Sequence, residues 1–307
     1  MTIARRQHYV WRKYLEAWTS DKMIWCLRDG QEKPFLTNVT NVAVEHDFYK
    51  LNPLTDTDVG FIRTTFMNDR PEVMSVVNGL IYLFSMPHHL QSDSNSPEVA
   101  DLVDRAINAT EERLHTNVEG RFVPMLDAIR SGDLAFYDDP GLCGQFTHFL
   151  CLQNVRTRGA RESFLEASRR RPVPGMNAKS CWPLISHIVA FNAGANLLRQ
   201  RRERPLLFLK NDTKIPFITG DQPVVNLLGS PNSEQPPQLL AFYYPISPHL
   251  AIVLDEINER TGLVSGPISA EQAESLNRQV RDAAYRQIYA DSCEILTSYP
   301  RKTRRSP

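Results

Sequence analysis

The sequence predicts an α+β protein: a mixed or antiparallel sheet is built from strands near both ends of the chain, with a large helical insertion between them. β-rich segments lie at residues 23–36 and 205–255, whereas helical patterns dominate residues 55–204. Because an isolated two-stranded hairpin is not stable in water, the early strands are expected to join the sheet of the late ones. We therefore predict a single domain over residues 1–307, with residues 55–204 as an insertion within it.

The segment "RRQHYVWRKYLEAW" contains the first predicted element, a helix over residues 10–18. Four apolar side chains recur there at i, i+3, i+4 and i+7 spacing, which is typical of a face buried in the core. This face consists of Trp11, Tyr14, Leu15 and Trp18. Gln7 and His8 precede the helix and lie outside this face, so they remain functional candidates. A histidine beside a helix N-terminus can bind an anion or act as acid or base, but it can equally cap the helix or pack.

Turn signals and periodicity predict the next elements. The segment "KMIWCLRDGQEKPFL" predicts a hairpin with strands at 23–28 and 33–36 around an Asp29-Gly30 turn. The helical patterns that follow are separated by breakers such as "SDSNSP" and "RPVPGMN". They cover residues 55–68, 71–86, 97–130, 140–170 and 181–202.

The character of the chain changes again after these helices. A second hairpin around Asn211-Asp212 is predicted from "PLLFLKNDTKIPFITGD", and two further strands from "LLAFYYPIS" and "HLAIVLD". A long amphipathic helix is predicted from "SAEQAESLNRQVRDAAYRQIYADS" and a closing strand from "EILTS".

Composition excludes some classes of protein. Lys+Arg and Asp+Glu both number 35, so no overall field attracts a polyanion, and nucleic-acid binding would need the basic stretches at 156–171 or 199–204. Five cysteines without a CxxC pair argue against a disulfide framework and a zinc ribbon, and they favour a reducing cytoplasm. No apolar run in the sequence has the length of a signal peptide or a membrane span, so we expect no membrane partner.

Asp221 is a candidate because of its place in "FITGDQPVV". A strand that ends in Gly-Asp before a proline puts this carboxylate at a strand terminus, and such carboxylates often line clefts. The alternative is an Asx-turn, in which Asp221 accepts hydrogen bonds from nearby backbone amides.

Gln153 and Arg156 lie at i, i+3 in "FLCLQNVRTRGARE", where an otherwise apolar helix face becomes polar. A semi-buried pair of this kind needs partners, and a substrate phosphate or carboxylate would serve. An internal bridge from Arg156 to Asp or Glu is the slightly favoured alternative. Asn277, on the last amphipathic helix, is expected to bond a neighbouring loop.

Other polar motifs are weak. Glu45, His46 and Asp47 are consecutive and cannot all face one point, so they do not form a metal-ligand pattern. The sequence contains no HExxH, Walker loop, GxGxxG after a strand, GxSxG or kinase signature. This removes the usual nucleotide-binding and hydrolase families from the leading candidates.

The order of these motifs resembles that of the bacterial domain-of-unknown-function 4238 family over nearly the whole chain. The matching motifs are "RRQHYVWRKYLEAW", "NVAVEHDFY", "FLCLQNVRTRGAR", "FITGDQPVV", "YYPISP" and "SLNRQVRDAAYRQIYA". Members of the family typically have Gln-His-Tyr-Val/Ile-Pro near the start, then Thr-Ser-Asp-x-Pro and Pro-Leu-Ser-Pro turns, and finally an Asn-bearing helix. In this chain Trp11 replaces the first proline, Gly220 the serine and Ile246 the leucine. The first of these changes is expected to alter the start of the opening helix.

The resemblance implies one compact unit and no particular reaction. It marks the polar residues of the shared motifs, which are His8, Gln153, Arg156 and Asp221.

Together these residues predict an enzyme. His8 is the general base or acid, and Asp221 orients it or binds a divalent metal ion. Arg156 and Gln153 hold an anionic substrate. The other predicted substrate contacts are Gln7 and Asn277. Such a set suits hydrolysis of a phosphodiester or nucleotide, in a nuclease-like or toxin-like role in bacterial defence. The alternative is a non-catalytic module whose basic helices bind nucleic acid or a protein, with strong salt dependence and no need for His8.

Overall fold

Strands from both ends of the chain share a sheet, and helices from the middle of the chain pack beside it. The computed structural model describes residues 5–67, 70–92, 96–229, 239–255 and 261–300. The strands are β1 (Arg6–His8), β2 (Met23–Arg28), β3 (Phe35–Asn38), β4 (Val44–His46), β5 (Leu206–Lys210), β6 (Thr219–Gly220), β7 (Val225–Asn226), β8 (Phe242–Ser247), β9 (Leu250–Leu254), β10 (Gly266–Pro267) and β11 (Gln287–Ala290). The α-helices are α1 (Arg12–Leu15), α2 (Asp56–Phe66), α3 (Pro71–Ser92), α4 (Pro97–Ser131), α5 (Pro140–Val155), α6 (Arg158–Arg170), α7 (Ala178–Arg199), α8 (Ala270–Ala283) and α9 (Cys293–Thr297).

The N-terminal hairpin joins C-terminal strands, as predicted. The first sheet has the order β3-β2-β11-β6, and all its pairings are antiparallel. The second sheet has the order β10-β5-β9-β8-β7 and includes one parallel pairing, between β10 and β5. A separate ribbon pairs β1 with β4. The α+β class is confirmed, and the strands form two main sheets where one was expected.

The predicted hairpin around Asn211-Asp212 is wrong. β5 pairs with β9 in the second sheet, whereas β6 pairs with β11 in the first. The Asn211 side chain accepts a hydrogen bond from the Thr213 amide at 3.1 Å and donates one to the Ile215 carbonyl at 2.8 Å, which closes a local turn. Pro216 follows and has no N–H for a ladder, so the chain leaves one sheet before it reaches the other.

Two further expectations fail near the C-terminus. α8 ends at Ala283, and part of the predicted helix forms β11 instead. The Asp221 carboxylate accepts hydrogen bonds from the amides of residues 285–287, which removes those amides from any helical ladder. The segment predicted as a closing strand forms the short helix α9 and buries Leu296.

Two of the predicted helices are shorter in the structure than the sequence pattern indicates. The first helix is only the four residues of α1, followed by a 3-10 turn over Glu16–Trp18. The predicted helix over 140–170 breaks after α5, because the Thr157 side chain accepts a hydrogen bond from the Ala160 amide and caps α6. The strands β1 and β4 lie in segments where no strand was expected.

The aromatic rings of the opening segment are buried in the core, as predicted. Trp11 packs edge-on against Phe149 with ring centroids 5.8 Å apart, and Tyr14 stacks on Tyr244 at 4.7 Å. Trp18 donates from its indole nitrogen to the Phe217 carbonyl at 2.8 Å. These contacts attach the N-terminal segment to α5 and to both sheets, which fixes the position of β1.

Gly194 permits the close approach of α7 to α5. A Cβ at this position would lie 2.9 Å from the His148 Cα atom and 3.0 Å from its amide nitrogen. We expect Gly194→Ala to lower the free energy of unfolding by about 1–3 kcal/mol, because backbone atoms must move to admit the methyl group. Gly79→Ala is the matched control, since nothing lies within 4 Å of its Cβ position on α3. There alanine should raise stability by up to about 1 kcal/mol through helix propensity. Urea unfolding curves measure the change in stability of both variants. A change of the same sign in Gly194→Ala and Gly79→Ala would contradict the packing argument.

Candidate active site

Gln7 lies on β1, directly opposite Glu45 on β4. Its side chain is 1% exposed and its hydrogen bonds go to the protein. The Nε2 atom donates to the Asn108 carbonyl at 3.0 Å and to Glu112 Oε2 at 3.3 Å, and Oε1 accepts from the Tyr49 amide at 2.7 Å. These bonds connect β1 to α4, so Gln7 positions the strand, and its amide has no free group for the predicted substrate contact.

His8 is half-buried and lines an open groove of about 620 Å³, the His8 groove. Its Nδ1 atom is buried and has no hydrogen-bond partner among the described residues. Burial lowers the pKa of His8 to about 4, the positive charges of Arg12 and Arg6 add to the effect, and the nearby backbone of Val42 opposes it. The imidazole is therefore neutral at pH 7 and can accept a proton.

The rim of the His8 groove is rich in cations. Arg6, Arg12 and Lys13 line it. Arg6 donates to the Thr40 carbonyl at 3.3 Å, whereas Arg12 and Lys13 form no ion pair within the described part of the chain. Three carboxylates also line the groove: Glu112 and Glu119 accept hydrogen bonds from Gln7 and Arg156, and Glu16 is the third. This arrangement attracts an anion toward His8.

Arg156 is 4% exposed and forms the internal bridge that was the favoured alternative for it. Its Nη1 atom is 2.5 Å from Glu119 Oε1, and its other nitrogens donate to the carbonyls of His8 at 3.1 Å and Tyr9 at 3.3 Å. Arg156 therefore holds the end of β1 in place, and its guanidinium is committed to protein acceptors. Gln153 is buried on α5, and its Nε2 atom has no hydrogen-bond partner within the described residues.

Asp221 does not orient His8, which corrects the predicted pair. The Asp221 carboxylate is fully buried, and it accepts hydrogen bonds from the amides of Tyr285 and Arg286, each at 2.7 Å, and of Gln287 at 3.0 Å. These amides belong to a distant part of the sequence, so a local Asx-turn is also wrong. The oxygens of Asp221 hold backbone, and a metal ion would have to displace those bonds.

Asn277 has a structural position as well. Its Oδ1 atom accepts from the Ile218 amide at 3.0 Å, and Nδ2 donates to the Pro216 carbonyl at 2.9 Å. The side chain thus joins α8 to the segment that leads into β6, as its expected bond to a neighbouring loop implied. This use of the amide leaves no basis in the structure for the predicted substrate contact.

A cluster of three buried side chains was missed by the sequence analysis. Glu111 Oε1 lies 3.5 Å from His115 Nε2 and 3.9 Å from His187 Nε2, and the three side chains are 2–6% exposed. Glu111 and His115 are four residues apart on α4, and His187 comes from α7. The i, i+4 spacing on a predicted helix was the available signal, but only the packing of α7 against α4 reveals the third member.

Burial controls the charges in this Glu111 cluster. It raises the pKa of Glu111 to about 8, although the nearby Arg156 opposes the shift. It lowers the pKa of His187 to about 3 and that of His115 well below its usual range. Both imidazoles are therefore in the neutral form, and the Glu111 side chain is predominantly a neutral carboxylic acid at pH 7.

The Glu111 cluster borders two open spaces. His115 lines the His8 groove, and Glu111 lines a second cavity of about 330 Å³ that we name the Arg161 cavity. Arg156 lines both. A ligand in the His8 groove thus approaches the cluster at His115, and a ligand in the Arg161 cavity approaches it at Glu111.

Comparison with known families identifies the chain's relatives. The family described as "Protein of unknown function (DUF4238)" matches residues 6–294 of the 307-residue chain. The chain belongs to this family. No curated protein and no solved structure matches it. The match extends from β1 to α9, so the DUF4238 pattern includes both the His8 groove and the Glu111 cluster.

The structure explains two departures of this DUF4238 chain from the motifs given above. Trp11 has φ −59°, a value that proline also adopts, so its presence in place of proline does not require a different backbone path. The expected change at the start of the opening helix is thus not needed. Gly220 lies against β11, where a Cβ would be 3.0 Å from the Gln287 carbonyl oxygen. A serine at this position would require β11 to move by a few tenths of an ångström.

The basic stretches of this DUF4238 protein are partly neutralised. Arg158 and Arg161 both pair with Glu45, at 3.4 Å and 2.8 Å, and Arg170 pairs with Glu166 at 2.5 Å. These ion pairs weaken the case for a basic helix surface that binds nucleic acid. None of the helices in the described residues combines the length and apolar character needed to cross a bilayer.

Proposed function

We propose that this protein is a hydrolase that acts on a phosphodiester or nucleotide substrate in the His8 groove. The observation that carries the proposal is the neutral His8 imidazole in an open groove whose rim contains Arg6, Arg12 and Lys13. Charge neutralisation and proton transfer are the main demands of phosphoester hydrolysis. The Arg156 bonds to the carbonyls of His8 and Tyr9 support the proposal, because they hold the base at a defined place.

In this reaction the cationic rim binds the phosphate oxygens and stabilises the negative charge that develops on them. His8 takes a proton from the attacking water, whose oxygen forms the new bond to phosphorus. The bond from phosphorus to the leaving oxygen breaks, and the imidazolium returns its proton to that oxygen. The anionic substrate also offsets the charges of Arg12 and Arg6, so binding raises the pKa of His8 toward its ordinary value.

We expect His8→Gln to reduce kcat/KM by about 100-fold or more, because removal of a general base has that effect. The substrates to test are bis-p-nitrophenyl phosphate, single-stranded RNA and DNA, and nucleoside triphosphates. His89→Gln is the matched control, since His89 is exposed on α3 and lines none of the cavities described above. If wild type turns over none of these substrates, or if both variants retain full activity, the proposal is wrong.

The pH profile gives a second readout of the same variant. Catalysis needs neutral His8, whose pKa in the free enzyme is lowered to about 4. The acid limb of kcat/KM should therefore lie near pH 4, below the position of an ordinary histidine near 6.5. The limb should vanish in His8→Gln. Salt-sensitive RNA or DNA binding without turnover, unaffected by His8→Gln, would instead favour the non-catalytic module.

A further inference from the structure

The Glu111 cluster contains the ligand types of a transition-metal site. It provides one carboxylate and two imidazoles on α4 and α7, and its three donor atoms all lie within 4.8 Å of one another. Two histidines and one carboxylate, with other positions left for water or substrate, form a common site for divalent iron, manganese and zinc. Calcium and magnesium prefer oxygen ligands, so this set does not suit them.

The cluster has buried polar atoms that form no hydrogen bond with the described part of the chain. Glu111 Oε2, both ring nitrogens of His115 and His187 Nε2 have no hydrogen-bond partner within the described residues. An unsatisfied buried polar atom is costly, and native proteins contain few of them. Four such atoms on three touching side chains indicate that a ligand belongs among them. The ring of His115 also stacks on that of His187, with centroids 4.9 Å apart, so neither ring can turn freely toward another partner.

The three donor atoms lie somewhat farther apart than the ligands of a bound metal ion, so the side chains must move closer together to bind one. Metal–nitrogen and metal–oxygen distances of about 2.0–2.2 Å place neighbouring ligand atoms about 3.0–3.5 Å apart in tetrahedral or octahedral geometry. The two distances from Glu111 Oε1 are 3.5 Å and 3.9 Å. The three donor atoms lie within 4.8 Å of one another, so the side chains must move by about 1–2 Å to bring all of them within coordination distance.

We propose that Glu111, His115 and His187 bind one divalent transition-metal ion, of the zinc, manganese or iron class, between the His8 groove and the Arg161 cavity. The metal site itself is independent of the proposed hydrolase function. Its part in hydrolysis rests on that function: the ion would face the groove through His115 and would supply a Lewis acid next to the bound phosphate.

Metal binding by the full chain tests this proposal directly. After chelator treatment and dialysis, the protein is titrated with Zn²⁺, Mn²⁺ or Fe²⁺, the last without oxygen, and bound metal is measured by inductively coupled plasma mass spectrometry. We expect one ion per chain for at least one of these metals, and a rise in Tm of about 5 °C at saturation. Cobalt substitution should give a visible absorption band that reports nitrogen ligands.

Two variants and a matched control locate the site. Glu111→Gln and His187→Ala should each weaken binding at least tenfold and remove the cobalt band. Glu98→Gln, the same change at an exposed position in the first turn of α4, should bind metal as wild type does. Circular dichroism checks that each variant folds. Less than 0.1 ion per chain for every metal, or equal affinity in wild type and Glu111→Gln, would overturn the proposal.

The outcomes separate this proposal from the hydrolase. Metal binding lost in Glu111→Gln, with no turnover of any phosphoester, supports the metal site and contradicts the proposed function. Hydrolysis that depends on His8 in a protein that binds none of the three metals supports the function and overturns the metal site.

Discussion

Replacement of Asp221 with alanine is expected to lower the free energy of unfolding by about 3–5 kcal/mol, because three backbone amides lose one fully buried, charged acceptor at once. The amides belong to Tyr285 and Arg286, which precede β11, and to Gln287, which begins it. β11 lies between β2 and β6, so its displacement also disrupts the pairing of the N-terminal hairpin with the C-terminal strands.

Asp221→Asn should be destabilising as well. Its amide nitrogen would face backbone N–H groups, since both carboxylate oxygens accept hydrogen bonds in the native protein. Asp212→Ala is the control, because Asp212 is exposed near the turn that follows β5. Urea unfolding followed by circular dichroism measures all three. A loss below about 1 kcal/mol for Asp221→Ala would show that the amides find other acceptors.

This result bears on how activity data are interpreted. Asp221 has the sequence context of a catalytic carboxylate, and its substitution should abolish activity through loss of structure alone. A claim of catalytic participation at this position therefore needs a folded variant. His8→Gln does not have this difficulty, because the His8 side chain is half-buried and its Nδ1 atom bonds no described residue.

The parts of the fold that could be predicted from the sequence depend on local patterns. The 3.6-residue period located α2, α3, α4 and α7 to within several residues but merged α5 and α6 into one helix, and the Asp29-Gly30 turn located the first hairpin. The buried rings of the opening segment followed from the same periodicity. Local signals of this kind need no knowledge of distant partners.

The failures involve partners far apart in the sequence. β11 was assigned to a helix because "AAYRQIYA" continues the amphipathic pattern of α8, and only the remote Asp221 ends that helix. β1 is only three residues long. It pairs with β4, which lies more than 30 residues later in the sequence, beyond the aromatic segment and the first hairpin. Hydrophobic periodicity does not reveal a strand this short.

The candidate site divides in the same way. His8 was predicted because it lies outside the apolar face of a local pattern, and it lines a groove in the structure, whereas its predicted partner Asp221 binds backbone amides elsewhere. Gln7 and Asn277 look like site residues in sequence, and in the structure they are bonded to backbone groups. The Glu111 cluster depends on the packing of α4 against α7, which no spacing in one helix indicates.

Arg156 links the His8 groove to the Glu111 cluster, and its ion pair is the next test. Glu119→Ala is expected to lower the free energy of unfolding by about 3 kcal/mol, because it leaves the buried Arg156 guanidinium without its carboxylate. Glu274→Ala is the matched control: Glu274 pairs with Arg278 on α8 at 3.0 Å, and both side chains are about half exposed. The loss of unfolding free energy in Glu274→Ala should stay below about 1 kcal/mol.

The double variant Glu119→Ala/Arg156→Met separates the charge effect from the loss of packing. If an uncompensated guanidinium causes the damage in Glu119→Ala, then removal of the guanidinium as well should recover part of the stability, even though the bonds to the carbonyls of His8 and Tyr9 are also lost. If the two side chains act independently, the loss of stability in the double variant will equal the sum of the losses in Glu119→Ala and Arg156→Met measured alone. In that case Arg156 would hold β1 through the carbonyls alone, and Glu119 would be free to contact a ligand in the groove. Arg156 Nη1 lies 2.5 Å from Glu119 Oε1, so we expect the effects of the two substitutions on stability to be coupled. In that case Arg156 holds β1 and His8 in place, and Glu119 balances its charge.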